Sequence, residues 1–285
     1  MILPGIKAYF ALIQFNALNF GLLKNIILAI VLGAIAAVFS FRLKFLTRSG
    51  SRAAFLLALP LFALGGWKWS VPMIWFFLSS SILSRVRKKC NSGIDLYFEK
   101  SGVRDYFQVF SNGGLGGILV IMAYFSDSGL FYTVYIGMLS AVCADTWATE
   151  IGTLARTKTY NVLNLQTVEQ GSSGGVSIPG TLGSLSGALT VAISSAVWVN
   201  EGLILYFCTI VLAGISGSFI DSLLGATLQS GFYCSICGKL TEKKFHCMRP
   251  AVHKKGILWI GNDLVNLTAG ITGGIFAIIF RNILR

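Results

Sequence analysis

The sequence predicts an all-α fold, a polytopic membrane bundle of about eight transmembrane helices, or nine if the N-terminal stretch also crosses. Three observations predict it. First, 54% of the residues are hydrophobic and 12% charged, with a mean hydropathy of +0.73, more apolar surface than a soluble core can hide. Second, apolar stretches near the roughly 20 residues that cross a bilayer fall at 25–41, 53–66, 70–84, 112–126, 130–147, 181–199, 202–223 and 264–280. Third, the cations alternate. Lys and Arg number four in 42–52, six in 85–105, two in 148–180 and six in 224–263, which is 18 of 23, while the intervening connections hold only Lys68. By the positive-inside rule the four basic connections face the cytoplasm.

Taken in order, the opening stretch from Ile2 to Phe20 is apolar but interrupted by Pro4, Gly5, Asn16 and Asn19, and reads as a half-buried helix or a further span. It lacks the basic start and small-residue cleavage site of a signal peptide. With eight spans both termini face outward; a ninth turns the N-terminus inward. The segments after residue 112 pair into hairpins. Asn112 to Gly117 opens one that returns to Asp145, and Gly180 to Gly187 opens another that returns to Asp221. This is either an internal duplication or glycine serving close helix packing in both places. The outward turns, Ser126 to Gly129 and Asn200 with Glu201, are minimal, so residues 1–285 read as one integral-membrane domain whose polar chemistry faces inward. The net charge of +12 follows the topology, and a nucleic-acid partner is not expected.

Acids at membrane depth cost roughly 3 kcal/mol or more unless paired, hydrated or metal-bound, so their default reading is functional. Asp145 and Glu150 lie in Ala144-Asp145-Thr146-Trp147-Ala148-Thr149-Glu150-Ile151-Gly152, Asp221 follows Gly217-Ser218-Phe219-Ile220, and Asp263 follows Gly261-Asn262. Three acids at the ends of separate apolar runs predict one shared site. Mg²⁺ takes one or two carboxylates and completes its octahedron with water and phosphate oxygens, a role that suits Asp145 and Asp221, with Asp263 or Glu150 as a further ligand or an orienting group. The alternative is that each acid caps a helix or pairs with a cation such as Arg104. The loop Gln170-Gly171-Ser172-Ser173-Gly174-Gly175-Val176-Ser177-Ile178-Pro179-Gly180-Thr181 precedes a helix and reads as a phosphate cradle, its glycines letting N–H groups converge on an anion, or else as a flexible linker. Arg104, ahead of Gln108 and Asn112, either grips a phosphate through two parallel hydrogen bonds or anchors a helix at the headgroups. Lys158 is a further cation for developing charge.

Within the connection 224–263, Cys234 and Cys237 have two-residue spacing, with His246, Cys247 and His253 following. A zinc knuckle of Cys234, Cys237, Cys247 and one histidine such as His246 is geometrically open to them, as are free thiols in a reducing compartment.

Asp145-Thr146 with Glu150 and Gly152, the loop Gly171 to Thr181, the run Asp221-Ser222-Leu223-Leu224-Gly225-Ala226-Thr227-Leu228-Gln229, and Asn262-Asp263 with Val265-Asn266 together resemble a known integral-membrane family. It includes plant phytyl-phosphate kinase and the animal transmembrane protein nineteen. The resemblance implies phosphorylation of an isoprenoid monophosphate to the diphosphate, with CTP or another nucleoside triphosphate as donor and Mg²⁺ on Asp145, Asp221 and Asp263. Ser172, Ser173, Gly174, Gly175, Ser177, Gly180, Thr181, Asn112, Ser222, Gln229, Asn262 and Asn266 then hold nucleotide and phosphate. A looser likeness extends to phosphatidate cytidylyltransferases, whose Gly-rich loop has Lys-Thr where this chain reads Gly174-Gly175-Val176-Ser177. A CTP-dependent lipid cytidylyltransferase is therefore the first alternative. An ion-coupled transporter is a second, disfavoured by the sparse outward connections, and a scaffold has no use for buried acids.

Overall fold

Backbone polar groups in hydrocarbon must be satisfied within their own segment, which turns apolar stretches into helices. A computed structural model of the chain describes residues 4–91, 93, 102–126, 128–199 and 202–284, residues 4–20 by backbone alone. Eight α-helices run through the described residues: α1 (Pro4–Arg42), α2 (Arg48–Ala63), α3 (Gly66–Cys90), α4 (Tyr106–Ser126), α5 (Gly129–Leu154), α6 (Ile178–Ser195), α7 (Leu203–Thr227) and α8 (Asn262–Ile283). Six of them contain a stretch long and apolar enough to cross a membrane: α1 from Gly21, α4, α5, α6, α7 and α8. At 16 residues α2 is too short, and it carries Pro60 in its interior. α3 is too polar along its length.

Three boundaries differ from the sequence expectation. The described backbone runs as one helix from Pro4 to Arg42, so the opening stretch forms no separate ninth element; the side chains of that stretch, and the turn at Asn200 and Glu201, lie outside the described residues. The division between the second and third apolar stretches falls at Leu64 and Gly65 rather than after residue 66. The third stretch ends at residue 84 when read linearly, yet its helix continues to Cys90. Ser80, Ser81, Ser84 and Arg87 turn their side chains inward and are buried.

α5 is the central helix, with α6, α7, α8, α3 and α4 packed around it. Its Tyr135, Ile136, Leu139, Cys143 and Ala144 are wholly buried, and the Tyr135 hydroxyl donates to the Trp69 carbonyl at 2.7 Å. Backbones approach closely on two sides. On α6, a Cβ added at Gly183 would lie 2.7 Å from the Trp147 carbonyl oxygen, and one at Gly187 2.8 Å from that of Cys143. On the other side Gly217 of α7 and Gly273 of α8 enclose the Ala141 methyl. Small residues are what permit such contact between membrane helices.

The polar connections emerge together at one end of the bundle, and two of them contain strands, which amends the all-α expectation for the loops alone. Residues 155–177 hold β1 (Thr159–Asn161), β2 (Thr167–Val168) and β3 (Gly175–Val176), an antiparallel sheet in the order β2-β1-β3. Residues 228–261 hold β4 (Gly231–Tyr233), β5 (Leu240–Thr241) and β8 (Val252–Lys255) in the order β5-β4-β8, with β6 (Phe245–His246) and β7 (Arg249–Pro250) as a separate hairpin. Strands this short leave no alternation to read in a sequence.

Gly187→Leu should wedge α5 and α6 apart at a site where backbone, not a yielding side chain, stands in the way. Overpacking of this kind costs about 2 kcal/mol, and thermal unfolding in detergent should show the loss, while Gly21→Leu, with open space around it, should leave the transition unmoved.

Candidate active site

Helix geometry separates the two acids of α5. Five residues apart at about 100° per residue, they project roughly 140° from one another. Glu150 therefore faces α3, where its Oε2 pairs with Arg87 Nε at 2.8 Å and its Oε1 accepts from Ser84 Oγ at 2.5 Å. Asp145 faces α7 instead. Ala141 meets Gly217 on that helix, and one turn further along both helices Asp145 stands beside Asp221. The two carboxyl groups lie within hydrogen-bonding reach of each other. Asp221 Oδ2 is buried with no hydrogen-bond partner among the described residues.

Around this pair lies a cavity of about 270 Å³, open at the polar end of the bundle. α8 brings Asp263 in its first turn, with Asn262 and Asn266; the Asn266 amide donates to Asn112 Oδ1 at 3.4 Å, tying α8 to α4. From the 155–177 connection come Ser172, Ser173, Gly174, Gly175 and Ser177, from the first turn of α6 Gly180 and Thr181, and from the end of α7 and just past it Ser222 and Gln229. The residues singled out from the sequence for Mg²⁺, for the donor and for its phosphates thus line one space, along with Arg104 and Glu150. Lys158 does not: it is exposed and outside the wall.

The Gly-rich segment is built rather than flexible. Gly174 has φ +81°, and a Cβ there would lie 2.5 Å from that of Ala226, so only glycine lets this turn lie on the last turn of α7. Ser177 caps α6, its Oγ accepting from Gly180 N–H at 3.2 Å. Gly175 N–H donates to the Ser172 carbonyl at 2.9 Å. The amides of Gly175 and Gly180 are thereby committed to turn and cap, which corrects their expected part as anion donors: they shape the wall. The α6 N-terminus itself still points its dipole into the cavity.

Arg104 is held by both of its ends. Its N–H donates to the Phe45 carbonyl and its carbonyl accepts from Thr47 N–H, each at 3.0 Å, and Gly50 is the residue that lets this backbone pass. Its guanidinium donates to Ser81 Oγ at 3.0 Å and lies 5.6 Å from the Phe77 ring centre. Burial pulls its pKa below the ordinary value, and the Glu150 charge opposes this. Asp105 and Gln108, next in sequence, form a capping box on α4: Asp105 Oδ1 accepts from Gln108 N–H at 3.0 Å, and Gln108 Oε1 from Asp105 N–H at 3.2 Å.

Three contributors are not evident in the sequence. Arg87 belongs to a basic connection that reads as an orientation signal and Ser84 closes the apolar stretch before it, and nothing in the pattern marks an inward turn. Glu242, from the 228–261 lobe, reaches the cavity and accepts from Ser173 Oγ at 2.8 Å and Gln229 Nε2 at 2.7 Å. Beneath it Lys255 Nζ donates to the Gly225 carbonyl at 3.0 Å; burial lowers its pKa, against the pull of Glu242. Further out in the lobe, ligand atoms of Cys234, Cys237, His246 and Cys247 all lie within 4.8 Å of one another. The Cys237 N–H, with His246 and other nearby donors, pushes the Cys234 thiol down to about 6 against the effect of burial, while burial and the adjacent thiols push Cys247 up to about 11.

Residues 31–274 match the model of a family described as integral membrane protein DUF92. The chain belongs to that family. It is the family anticipated from the motifs around Asp145, Asp221 and Asp263, and every cavity residue falls inside the DUF92 match. Over 270 residues the chain is 29% identical to protein PGR of Arabidopsis thaliana, covering 86% of this chain and 92% of that one. It is 27% identical over 216 residues to an uncharacterized membrane protein of Methanocaldococcus jannaschii, 75% of this chain and 76% of the other. Against protein VTE6, chloroplastic, of Arabidopsis thaliana it is 23% identical over 241 residues, 83% of this chain and 65% of the other. No solved structure matches the chain.

Arg87→Met strands the Glu150 carboxylate in a buried position and should cost about 3 kcal/mol of stability. Adding Glu150→Leu removes the orphaned charge and should recover most of that loss, as thermal unfolding of the single and double variants in detergent will show.

Proposed function

We propose that this DUF92 protein is a membrane-embedded phosphotransferase that converts an isoprenoid monophosphate, prenyl or phytyl, to its diphosphate at the expense of CTP or another nucleoside triphosphate. One observation carries the reading. A second cavity, of about 220 Å³ and almost wholly apolar, lies among α1, α2, α3 and α4 and shares Arg104, Gln108 and Asn112 with the polar cavity. Its remaining wall includes Phe39, Ala58, Leu61, Phe62, Met73 and Phe77. A hydrocarbon tail joined to an anionic head suits that junction: the tail enters the apolar space and the head stops at Arg104, whose planar guanidinium matches a phosphate. The motif resemblance to a family that includes a phytyl-phosphate kinase supports the same acceptor class.

Opposite Arg104 stand Asp145, Asp221 and Asp263. Two carboxyl groups that close, one with an unpartnered buried oxygen, fit a hard divalent cation with oxygen ligands. Mg²⁺ bound there would neutralise charge on the donor phosphates. Phosphoryl transfer depends mainly on positioning and on compensating charge. Arg104 orients the acceptor; Asn112, Asn266 and Ser222 supply neutral hydrogen bonds; Glu150 takes no ligand and fixes the end of α5 through Arg87 and Ser84. An acceptor phosphate oxygen forms its bond to the γ-phosphorus as the bond from that phosphorus to the β-phosphate bridging oxygen breaks, and a nucleoside diphosphate leaves. No side chain must remove a proton, since the attacking oxygen is already anionic.

The alternation of cations supports eight crossings with the site on the cytoplasmic side; α2 and α3, one too short and the other too polar to cross alone, would do so only in the shelter of neighbouring helices.

Purified protein given Mg²⁺, a panel of nucleoside triphosphates and phytyl, farnesyl or geranylgeranyl monophosphate should yield a lipid diphosphate and a nucleoside diphosphate by mass analysis. A CDP-lipid with pyrophosphate would make it a cytidylyltransferase instead. Asp145→Asn should lower turnover by about 100-fold or more, the scale of losing several kcal/mol of charge stabilisation. Ala58→Trp, which fills the apolar cavity, should raise KM for the lipid about tenfold, roughly what two lost methylene contacts would cost, with KM for the nucleotide unchanged.

A further inference from the structure

The lobe formed by residues 228–261 has almost nothing apolar inside it. Between Gly231 and Lys255 the buried hydrophobic side chains are Phe232 and Cys234, whereas Ile236, Phe245, Met248 and Val252 are exposed. A unit this small with so little core needs a staple to hold one shape. Its cysteines are free thiols, not disulfides.

Two turns bring those thiols together. After β4, Cys234 N–H donates to the Lys239 carbonyl and Gly238 N–H to the Cys234 carbonyl, both at 2.9 Å, with Gly238 at φ +70°. This tight loop faces Cys237 back toward Cys234. At the tip of the β6–β7 hairpin, Cys247 and Met248 both adopt the left-handed conformation, φ +49° and +61°. Such a pair of non-glycine residues costs energy and persists where the surroundings impose it. The consequence is a set of four soft ligands: Cys237 Sγ lies 3.5 Å and Cys247 Sγ 3.2 Å from His246 Nδ1, and Cys234 Sγ completes the group. Tetrahedral zinc, with bonds of about 2.3 Å to sulfur and about 2.0 Å to nitrogen, sets its ligand atoms roughly 3.5 to 3.8 Å apart.

We propose that Cys234, Cys237, His246 through Nδ1, and Cys247 bind a structural zinc ion, which holds the lobe in the shape that delivers Glu242 to the cavity wall. The link is direct in sequence. Glu242 lies between the two ligand pairs, one residue beyond β5, and joins Ser173 of the Gly-rich segment to Gln229 at the end of α7. Four protein ligands close the coordination sphere, leaving no position for water or substrate, so the ion has no part in chemistry. Zinc binding is independent of the phosphotransferase reading, and its tests need no turnover.

Full-length protein purified in detergent without chelators should contain about one zinc per chain by plasma mass spectrometry. X-ray absorption at the zinc edge should show about three sulfurs near 2.3 Å and one nitrogen near 2.0 Å. Cys237→Ser and Cys247→Ser should lose the metal, and Cys90→Ser and Cys208→Ser should keep it. If the ligand variants do not fold, the absorption spectrum of the wild-type protein decides. Removing the metal with a chelator should let the segment around Lys243 and Lys244 unfold into the trypsin active site, raising the cleavage rate there about tenfold or more as the lobe opens locally. Iron in place of zinc, a disulfide between Cys237 and Cys247, oxygen-rich coordination, or unchanged zinc in Cys247→Ser would each overturn the proposal.

Discussion

Two carboxyl groups facing each other at the end of a membrane bundle are the constraint on which the remaining structure depends. Taking an anion out of water costs several kcal/mol even after the protein relaxes, and a second anion beside it adds repulsion. No side chain among the described residues is seen to pair with Asp221 Oδ2, and in the proposed reading a cation meets it. The other acid of α5, five residues beyond Asp145, is handled differently: Glu150 receives Arg87 and Ser84 within the protein. One acid on α5 is satisfied, and the other is left to the cavity.

What places Asp145 against Asp221 is helix approach measured in missing methyl groups. Gly214 and Gly217 on α7, Gly273 on α8, and Gly183 and Gly187 on α6 let three backbones draw in around α5. The same register that seats Ala141 against Gly217 seats the acids one turn later. Beyond this layer α5 is wholly buried through Tyr135, Ile136 and Leu139, so the cavity has a floor. This shape suits a site entered from one side and not a path through the membrane.

Much of the site was legible in the sequence because buried charge is conspicuous. Asp145, Asp221 and Asp263 each interrupt or border an apolar run, and Gly171 to Thr181 announces a turn and a helix start by composition. The other half was hidden for physical reasons. Arg87 looks like any basic residue of a cytoplasmic connection, and only its partner 63 residues away explains its burial. Glu242 sits among lysines in a segment without periodicity, and its reach to Ser173 depends on how the lobe folds. The length of α3 was masked by its own buried polar face, since serines directed inward lower hydropathy as effectively as serines directed at water. The apolar cavity is invisible to any linear reading, because four helices build it and none of its residues is unusual in its place.

The central claim is that Asp145 and Asp221 together hold a divalent cation. Mn²⁺ is a paramagnetic substitute for Mg²⁺, and its binding to the purified protein can be followed by electron paramagnetic resonance without substrate or turnover. The account predicts a saturable Mn²⁺ site that Mg²⁺ displaces and that either Asp145→Asn or Asp221→Asn abolishes. Mn²⁺ binding of unchanged affinity in both variants would contradict it.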